Sequence, residues 1–223
     1  MTSTDRRSIR TRRALREALA SEIHEKGDLS RVTVTVVTRR ADVTRRTFYS
    51  HYRDIASLVT AIEDEAISDV VPLVRNISLV TLPQLEDAIR AFEPCPGSTE
   101  LLAYFRANGT HLAALLGQGG DPAFVEKLKC VVREVVEDRA RSGFSPMVAA
   151  GFDYYLTFVI SAEVGVLVRW LTTGMVESDD LMARIMTMLL FVRPGDLYAR
   201  PIDFRLPFDS VDFAKQGKES FHG

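Results

Sequence analysis

The sequence predicts an all-α protein in which a small basic N-terminal lobe of three helices precedes a larger helical body. Apolar residues recur at helical spacing through most of the first 192 residues, and glycine and proline clusters separate the segments. The 223 residues are 46% hydrophobic, which is enough for a buried core. One stretch alone, residues 32–36, alternates as a strand would.

The first helix is predicted at residues 9–24. Residues 1–8 are polar and rich in arginine, without apolar periodicity, and are expected to form a flexible basic arm. After them Leu15, Leu19 and Ile23 share a helical face, and Gly27 can end the helix.

Residues 32–49 present a conflict between two patterns. The β-branched alternation at 32–36 favours a strand, whereas Val34, Val37 and Ala41 also form a helical stripe that Thr33 could cap. The residues alone leave both open. Thr44 is expected to cap a further short helix after a turn at 42–44, and two helices joined in this way would form a helix-turn-helix.

The remaining chain is predicted to be helical to residue 192. Asp54 caps a long helix expected to end or kink before Pro72. Further helices are predicted at about 84–92, 98–116, 122–142, 147–173 and 178–192. Residues 193–223 lack a sustained period and are expected to be extended or disordered.

Charge is distributed unevenly along the chain, although the net charge is only −2. Residues 1–53 hold 13 Lys and Arg against 6 Asp and Glu, and the remainder holds 15 against 24. A basic lobe on an acidic body suits polyanion binding at one end. A basic solvated face is the alternative.

Only two cysteines occur, and neither has a partner at metal-ligand spacing. No signal-like segment begins the sequence, so we expect a cytoplasmic protein without disulfide, metal or cofactor. The motifs of nucleotide-binding loops, serine hydrolases and zinc proteases are absent as well, which argues against an enzyme.

Residues 147–171 are apolar on nearly every side. Asp153 and Glu163 would each cost about 2.5–3.5 kcal/mol near a bilayer centre, so a membrane span is rejected. The segment is expected instead to lie between the protein's own core and a partner subunit.

Residues 32–58 resemble the DNA-binding core of the TetR (tetracycline-repressor) family; their sequence is VTVTVVTRRADVTRRTFYSHYRDIASL. The resemblance rests on the short helix ending in Ala41, the turn with Val43 and the Thr-Phe-Tyr-x-His-aromatic string. It implies a helix, and not a strand, running from the Thr33 cap to Ala41.

The resemblance also implies which side chains meet operator DNA. Val43 and Phe48 are expected to face inward, and His51 and Tyr52 are more often scaffold or backbone contacts than base readers. The expected DNA-binding residues are Thr33, Thr44, Arg45, Arg46, Thr47, Tyr49, Ser50, His51, Tyr52 and Arg53. Departures from the family pattern are Asp42 and Arg46, where glycine is common, and Ile55, where lysine is common.

Similarity to the family's effector domains is weaker and lies at about 101–124 and 154–171. It implies a homodimer built on residues 147–173 and 178–192. An effector pocket is nominated separately, from residues that combine aromatic surface with few polar groups; these are Tyr104, Phe105, His111, Phe152, Tyr155, Phe158 and Glu163.

The sequence therefore predicts a sequence-specific, double-stranded-DNA-binding regulator, expected to be a repressor controlled by a small-molecule effector or partner. Its domains would be an arm at 1–8, a helix-turn-helix domain at 9–53, a linker, effector and dimerisation domain at 54–192, and a tail at 193–223. The alternative is a helical carrier or adaptor whose basic arm meets anionic lipid or a protein partner.

Overall fold

A computed structural model describes residues 3–140 and 149–190, and no β-strand occurs among them. The all-α class is confirmed. The described helices are α1 Ser3–Lys26, α2 Val34–Arg40, α3 Arg45–Tyr49, α4 Ile55–Ser78, α5 Leu82–Ala91, α6 Ser98–Ala107, α7 Gly109–Leu116, α8 Pro122–Ala140, α9 Ala149–Thr172 and α10 Asp179–Leu189. A 3₁₀ turn at Leu29–Arg31 joins α1 to α2.

The N-terminal lobe consists of α1 to α3 packed around Leu15, Leu19, Val37 and Phe48, all buried. Helix α1 begins at Ser3 and not at residue 9, so the predicted flexible arm is wrong for residues 3–8. Arginine has a high helix propensity, and a helix already fixed by packing further along extends through such residues at little cost.

The conflict at residues 32–36 is resolved in favour of helix, since α2 begins at Val34. Val37 and Thr38 are buried while Thr33 and Thr35 are exposed, so the segment contacts the core with helical rather than alternating periodicity. Its β-branched residues follow the tertiary packing and not their intrinsic strand preference.

Helix α4 links the lobe to the body. The Asp54 carboxylate accepts from the Ser57 backbone N–H at 2.7 Å, and Ser57 Oγ accepts from the Asp54 N–H at 3.0 Å, so the predicted cap is confirmed. The helix continues through Pro72 to Ser78, so of the two predicted outcomes, an end or a kink, the end is wrong. Val70 and Val74 are buried on either side of the exposed proline, and their packing holds the helix across the missing hydrogen bond.

The single helix predicted at 98–116 is divided at Asn108. Asn108 has φ −106° and ψ 11°, and its side-chain amide donates to the Tyr104 carbonyl at 3.0 Å. Gly109 lies so close to Met175 that an added Cβ would stand 2.4 Å from its Cε. An Asn-Gly pair ends one helix and starts the next, because the asparagine side chain competes for backbone groups.

The other predicted helices occur with shifted ends. The segment predicted at 84–92 is α5, and those at 122–142, 147–173 and 178–192 correspond to α8, α9 and α10. Residues 141–148 and 191–223, which include the predicted tail, lie outside the described residues.

The body packs α4 against α8, α6 against α10, and α9 against α7 and α8, while α1 lies along α7. Trp170 is buried, as expected of a core or interface residue, and the Arg106 guanidinium lies 5.0 Å from its ring centre. Arg106 also donates to Asp179 Oδ1 and to the Met175 and Glu177 carbonyls, which holds the α9–α10 loop against α6.

Within the described part of the chain, the segment Phe152–Thr172 is long and apolar enough to cross a membrane. A third of its most apolar window is buried inside the protein. Core helices of soluble proteins meet the same criterion, so this length and composition are weak support for a span.

Candidate DNA-binding surface

The turn between α2 and α3 is held by backbone hydrogen bonds and by a threonine cap. The Val43 N–H donates to the Thr38 carbonyl at 3.0 Å, and Asp42 has a left-handed φ of 51°. Aspartate enters this region more readily than most non-glycine residues, so it can replace glycine here. Thr44 Oγ1 accepts from the Thr47 N–H at 3.1 Å, which confirms the predicted cap of α3.

Aromatic residues anchor the inner side of α3. Phe48 is fully buried, as predicted, and its ring centre lies 5.8 Å from that of Tyr52. Val43 is partly buried and packs on the same core. These contacts set the direction in which the rest of α3 points.

The outer side of α3 faces solvent. Arg45, Arg46 and Ser50 are exposed, and Tyr49 is 58% exposed beside the Phe48 ring. Two guanidinium groups, a phenol and a hydroxyl are therefore presented by one short helix. Such groups can hydrogen-bond base edges and phosphate oxygens.

Two of the predicted DNA-binding arginines already have polar partners. Arg45 Nη2 donates to Thr35 Oγ1 at 2.5 Å, and Arg53 Nε donates to Asp54 Oδ2 at 3.1 Å. Arg46 makes no hydrogen bond or ion pair with the residues that the structure describes. It can therefore meet a ligand without giving up an existing contact.

The predicted hydroxyl contacts differ in their availability. Thr44 and Thr47 pair with each other, with their Oγ1 atoms 2.9 Å apart, and Ser50 Oγ donates to the Thr47 carbonyl. Thr33 is the N-cap of α2 by position, but its side chain makes no capping bond and is exposed. An exposed hydroxyl at a helix N-terminus suits a phosphate oxygen.

Tyr52 and His51 are the predicted residues that do not lie on the exposed face. Tyr52 is buried, and burial raises the pKa of its phenol against the opposing effect of Arg16. His51 is half-buried, and its ring centre lies 6.2 Å from that of Tyr52. These positions fit packing roles, in line with the expectation that both residues serve as scaffold more often than as base readers.

Arg39 is an exposed cation that the sequence prediction omits. It lies on the last turn of α2, beside the turn that leads to α3, and has no polar partner among the described residues. Its neighbour Arg40 has a different role, because it donates to the buried Glu22 at 2.7 Å and to Glu25 at 2.5 Å on α1. Together with Lys26, Arg40 keeps the pKa of Glu22 below its usual range.

Three polar contacts hold the lobe and α4 against the body. Arg16 on α1 donates to Glu65 on α4, with Nη1 to Oε1 at 2.8 Å. The Leu29 N–H donates to the Gly119 carbonyl at 2.7 Å. Lys127 Nζ on α8 lies 2.5 Å from Glu63, whose side chain is buried in α4. Movement of α4 is therefore coupled to α1 and α8 at once.

The residues nominated for an effector pocket lie in different environments. Phe105 is buried in the core, Tyr104 packs edge-on against it, and Tyr155 and Phe158 are exposed on α9. Phe152 stacks with Tyr155 at 6.4 Å. Of the seven, His111 lines one of the described cavities, and that cavity lies between α1 and the body.

Glu163 is a partly buried carboxyl on α9. Burial raises its pKa from 4.5 to about 7. A carboxyl in such surroundings is harder to ionise than one in water.

A row of large apolar side chains is exposed on α9 and α10. Tyr154 is 79% exposed and Phe158 is 71% exposed, one helical turn apart. Leu181 and Leu189 are exposed on α10. This surface lies on the two helices for which a dimer interface was predicted.

Comparisons with known proteins agree with this architecture. Residues 93–191 match a family model described as a transcriptional regulator C-terminal region. An uncharacterized HTH-type transcriptional regulator, YxbF from Bacillus subtilis (strain 168), is 33% identical over 67 residues; these are 30% of this chain and 18% of that relative.

A solved structure shares the fold. It is described as a TetR transcriptional regulator from Streptococcus agalactiae 2603V, with a TM-score of 0.55 and 24% identity over 84% of this chain and 97% of that one.

Proposed function

We propose that the chain is a TetR-family transcriptional regulator that binds operator DNA as a homodimer, represses transcription there and responds to an effector in its helical body; the matches to regulators of this kind support the proposal. The exposed face of α3 is the observation that carries the DNA-binding part. Arg45, Arg46 and Tyr49 project from a helix whose opposite side is fixed by Phe48.

In this proposal α3 enters the major groove. Arg46, and Arg45 after releasing Thr35, hydrogen-bond base edges, while Thr33 and Arg39 at the two ends of α2 contact phosphates. Phosphate contacts position the lobe, and contacts to bases select the sequence. Arg40 holds α2 in place through Glu22.

The homodimer is proposed from the exposed side chains of α9 and α10. Tyr154 and Phe158 are neighbours on one face of α9, and large exposed apolar groups mark interaction sites, so two copies of this surface would bury each other around a two-fold axis. A dimer places two α3 helices at a fixed separation, which must match half-sites about one helical turn, or 34 Å, apart.

The position of α4 supports the proposal of effector control. This helix is capped beside α3 and bound to α1 and α8 through carboxylates, so a ligand that displaces α8 or α1 would turn the lobe. Repression is expected because a dimer seated on an operator near a promoter excludes the polymerase. A reporter gene behind the operator should lose expression when the protein is present.

Fluorescence anisotropy with duplex DNA tests the proposed function. We expect the protein to prefer the region upstream of its own gene over a shuffled duplex by at least about 10³ at equal salt, with affinity falling steeply as salt rises. Equal affinity for the two duplexes would refute the proposal. Sedimentation with anionic vesicles that excess duplex does not reduce would favour the carrier or adaptor alternative.

A further inference from the structure

A cleft of about 500 Å³ lies where the DNA-binding lobe meets the body. Arg12, Arg13 and Arg16 on α1 form one wall, Glu65 on α4 lies beside them, and the α6–α7 junction with His111 forms the other wall. Glu65 stands ten residues beyond the start of α4, or ~15 Å along that helix from α3. The cleft is therefore separate from the exposed face of α3.

The charges lining the cleft include one cation that forms no direct ion pair, although Arg12 is close enough to help lower the pKa of Glu65. Arg13 pairs with Glu17 at 2.8 Å, and Arg16 pairs with Glu65. Arg12 is exposed and makes no hydrogen bond or ion pair with any residue that the structure describes. Three arginines against two carboxylates give the cleft a net positive charge.

Arg16 contributes a second, independent feature. Its Nε atom is buried without a hydrogen-bond acceptor among the described residues, although both terminal nitrogens donate to Glu65. A buried donor without an acceptor is costly, and an added anion can satisfy it.

The opposite wall offers neutral polar groups. Burial, together with the neighbouring Arg16, lowers the pKa of His111 to about 4, so its imidazole is neutral at pH 7. A neutral imidazole can donate one hydrogen bond and accept another. Asn108 and Thr110 add an amide and a hydroxyl to the same wall.

We propose that this cleft binds a small organic anion, through its carboxylate or phosphate group, with Arg12 and Arg16 as the main contacts. Guanidinium groups bind both kinds of oxyanion by paired, charge-assisted hydrogen bonds. Asn108, Thr110 and His111 would bind polar groups on the remainder of the molecule.

The consequence for regulation rests on the proposed DNA-binding function. An anion held by Arg16 competes with Glu65 for the same guanidinium, and it lies between α1 and α7. Binding would thereby loosen the bridge from α1 to α4 and alter how the lobe is held. A ligand can shift DNA affinity only by as much as it prefers one arrangement over the other.

Isothermal titration calorimetry on the full chain tests the cleft, with citrate and inorganic phosphate titrated separately at pH 7.5 and constant ionic strength. We expect at least one of the two to saturate at one site per chain. The change Arg12→Gln should weaken that binding at least tenfold. The control Arg75→Gln, at an exposed arginine on α4 that lies outside the cleft, should leave it unchanged.

The proposal would be overturned if neither citrate nor phosphate showed saturable binding. Equal binding by the wild type and Arg12→Gln would overturn it too, since the ions would then be adventitious. If Arg12→Gln lowered DNA affinity alone, Arg12 would be a DNA backbone contact and the proposal would fail. Retained citrate binding in a protein without sequence-selective DNA binding would support the cleft and refute the proposed function.

Discussion

Neighbouring residues of α3 have opposite environments, and this contrast separates the roles of its side chains. Phe48 is buried while Tyr49 is exposed, so the helix has one side for packing and one for contact. Arg46 on the contact side has no partner among the described residues, and Arg45 is held by Thr35. Base reading is expected from these two arginines, and backbone contact from Arg53.

The first prediction compares Arg45→Ala with Arg53→Ala. Arg45→Ala should lower affinity for the preferred duplex by about 1–3 kcal/mol while leaving shuffled DNA almost unaffected. Arg53→Ala should weaken binding to both duplexes by similar factors, because phosphates carry no sequence information. Anisotropy titrations measure both effects. Equal losses on both duplexes for Arg45→Ala would contradict base reading.

The second prediction concerns Glu163, whose pKa burial raises from 4.5 to about 7. Between about pH 4.5 and 7 the Glu163 carboxyl keeps its proton in the folded chain but loses it in the unfolded chain. The stability that is present below pH 4.5 is therefore lost as pH rises through 7. Glu163→Gln should therefore raise the free energy of unfolding at pH 8 by roughly 1–3 kcal/mol and change it little at pH 4.5.

Urea unfolding at fixed protein concentration measures this difference. Glu134→Gln, at an exposed position on α8, is the matched control and should change the free energy of unfolding little at either pH. A pH profile of Glu163→Gln that parallels the wild type would contradict the assignment.

At the scale of elements, the loop between α7 and α8 provides one of the contacts that join the body to the lobe. The Gly119 carbonyl accepts from Leu29 in the lobe, and Gly119 has φ +85°. A Cβ added at Gly119 would lie 2.2 Å from the Gly27 carbonyl oxygen. Glycine is required here both for its backbone conformation and for the close approach.

The third prediction follows from this contact. Gly119→Ala should lower the free energy of unfolding by roughly 3 kcal/mol or more, since strain of about 1–3 kcal/mol adds to a steric clash. Gly27→Ala is the control, because Gly27 has φ +66° but no atom within 4 Å of an added Cβ. It should cost about 1 kcal/mol. If urea unfolding gave equal losses of unfolding free energy for the two variants, the close contact between Gly119 and the lobe would contribute nothing to stability.

Spacing of apolar residues predicts which segments are helices, but it does not fix their ends. In a helix, the apolar residues that face the core recur about every 3.6 residues. This spacing in the sequence identified α1, α4 and the helices of the body. The missed features depend on tertiary contacts. Pro72 lies between buried valines that keep α4 intact, and Asn108 ends α6 beside a glycine that approaches Met175.

The candidate site was predictable in part. The string at residues 47–52 identified the position of α3, and the resemblance it carries implied that Phe48 is buried and that Tyr52 is scaffold. The string could not show that Arg39 is exposed without a polar side-chain partner, because that depends on how α1 and α2 pack. In the body, aromatic residues nominated one pocket by composition, whereas the structure distributes them between the core and the surface of α9.

At the scale of the whole molecule, the exposed apolar surface of α9 and α10 determines the proposed assembly. Tyr154 and Phe158 are large, exposed and one helical turn apart, so burying them together would favour association. Two lobes held apart by this surface would have a fixed spacing on DNA, and effector control would act by changing it.

The fourth prediction tests this interface. Phe158→Glu should convert a dimer into a folded monomer, because two charges would be buried at the two-fold contact. Light scattering coupled to size-exclusion chromatography measures the mass, and circular dichroism reports the fold. Leu82→Glu, at an exposed position on α5, should leave the mass unchanged. A dimeric Phe158→Glu variant would place the interface elsewhere.

Selection of duplexes from a random library by the full-length protein tests the central claim most directly. A homodimer with one reading helix in each lobe should enrich an inverted repeat whose half-sites are centred about 10–10.5 base pairs, or a multiple of this, apart. The Arg45→Ala variant should enrich a degenerate form of the same repeat. Recovery of a library without any enriched sequence would contradict the account.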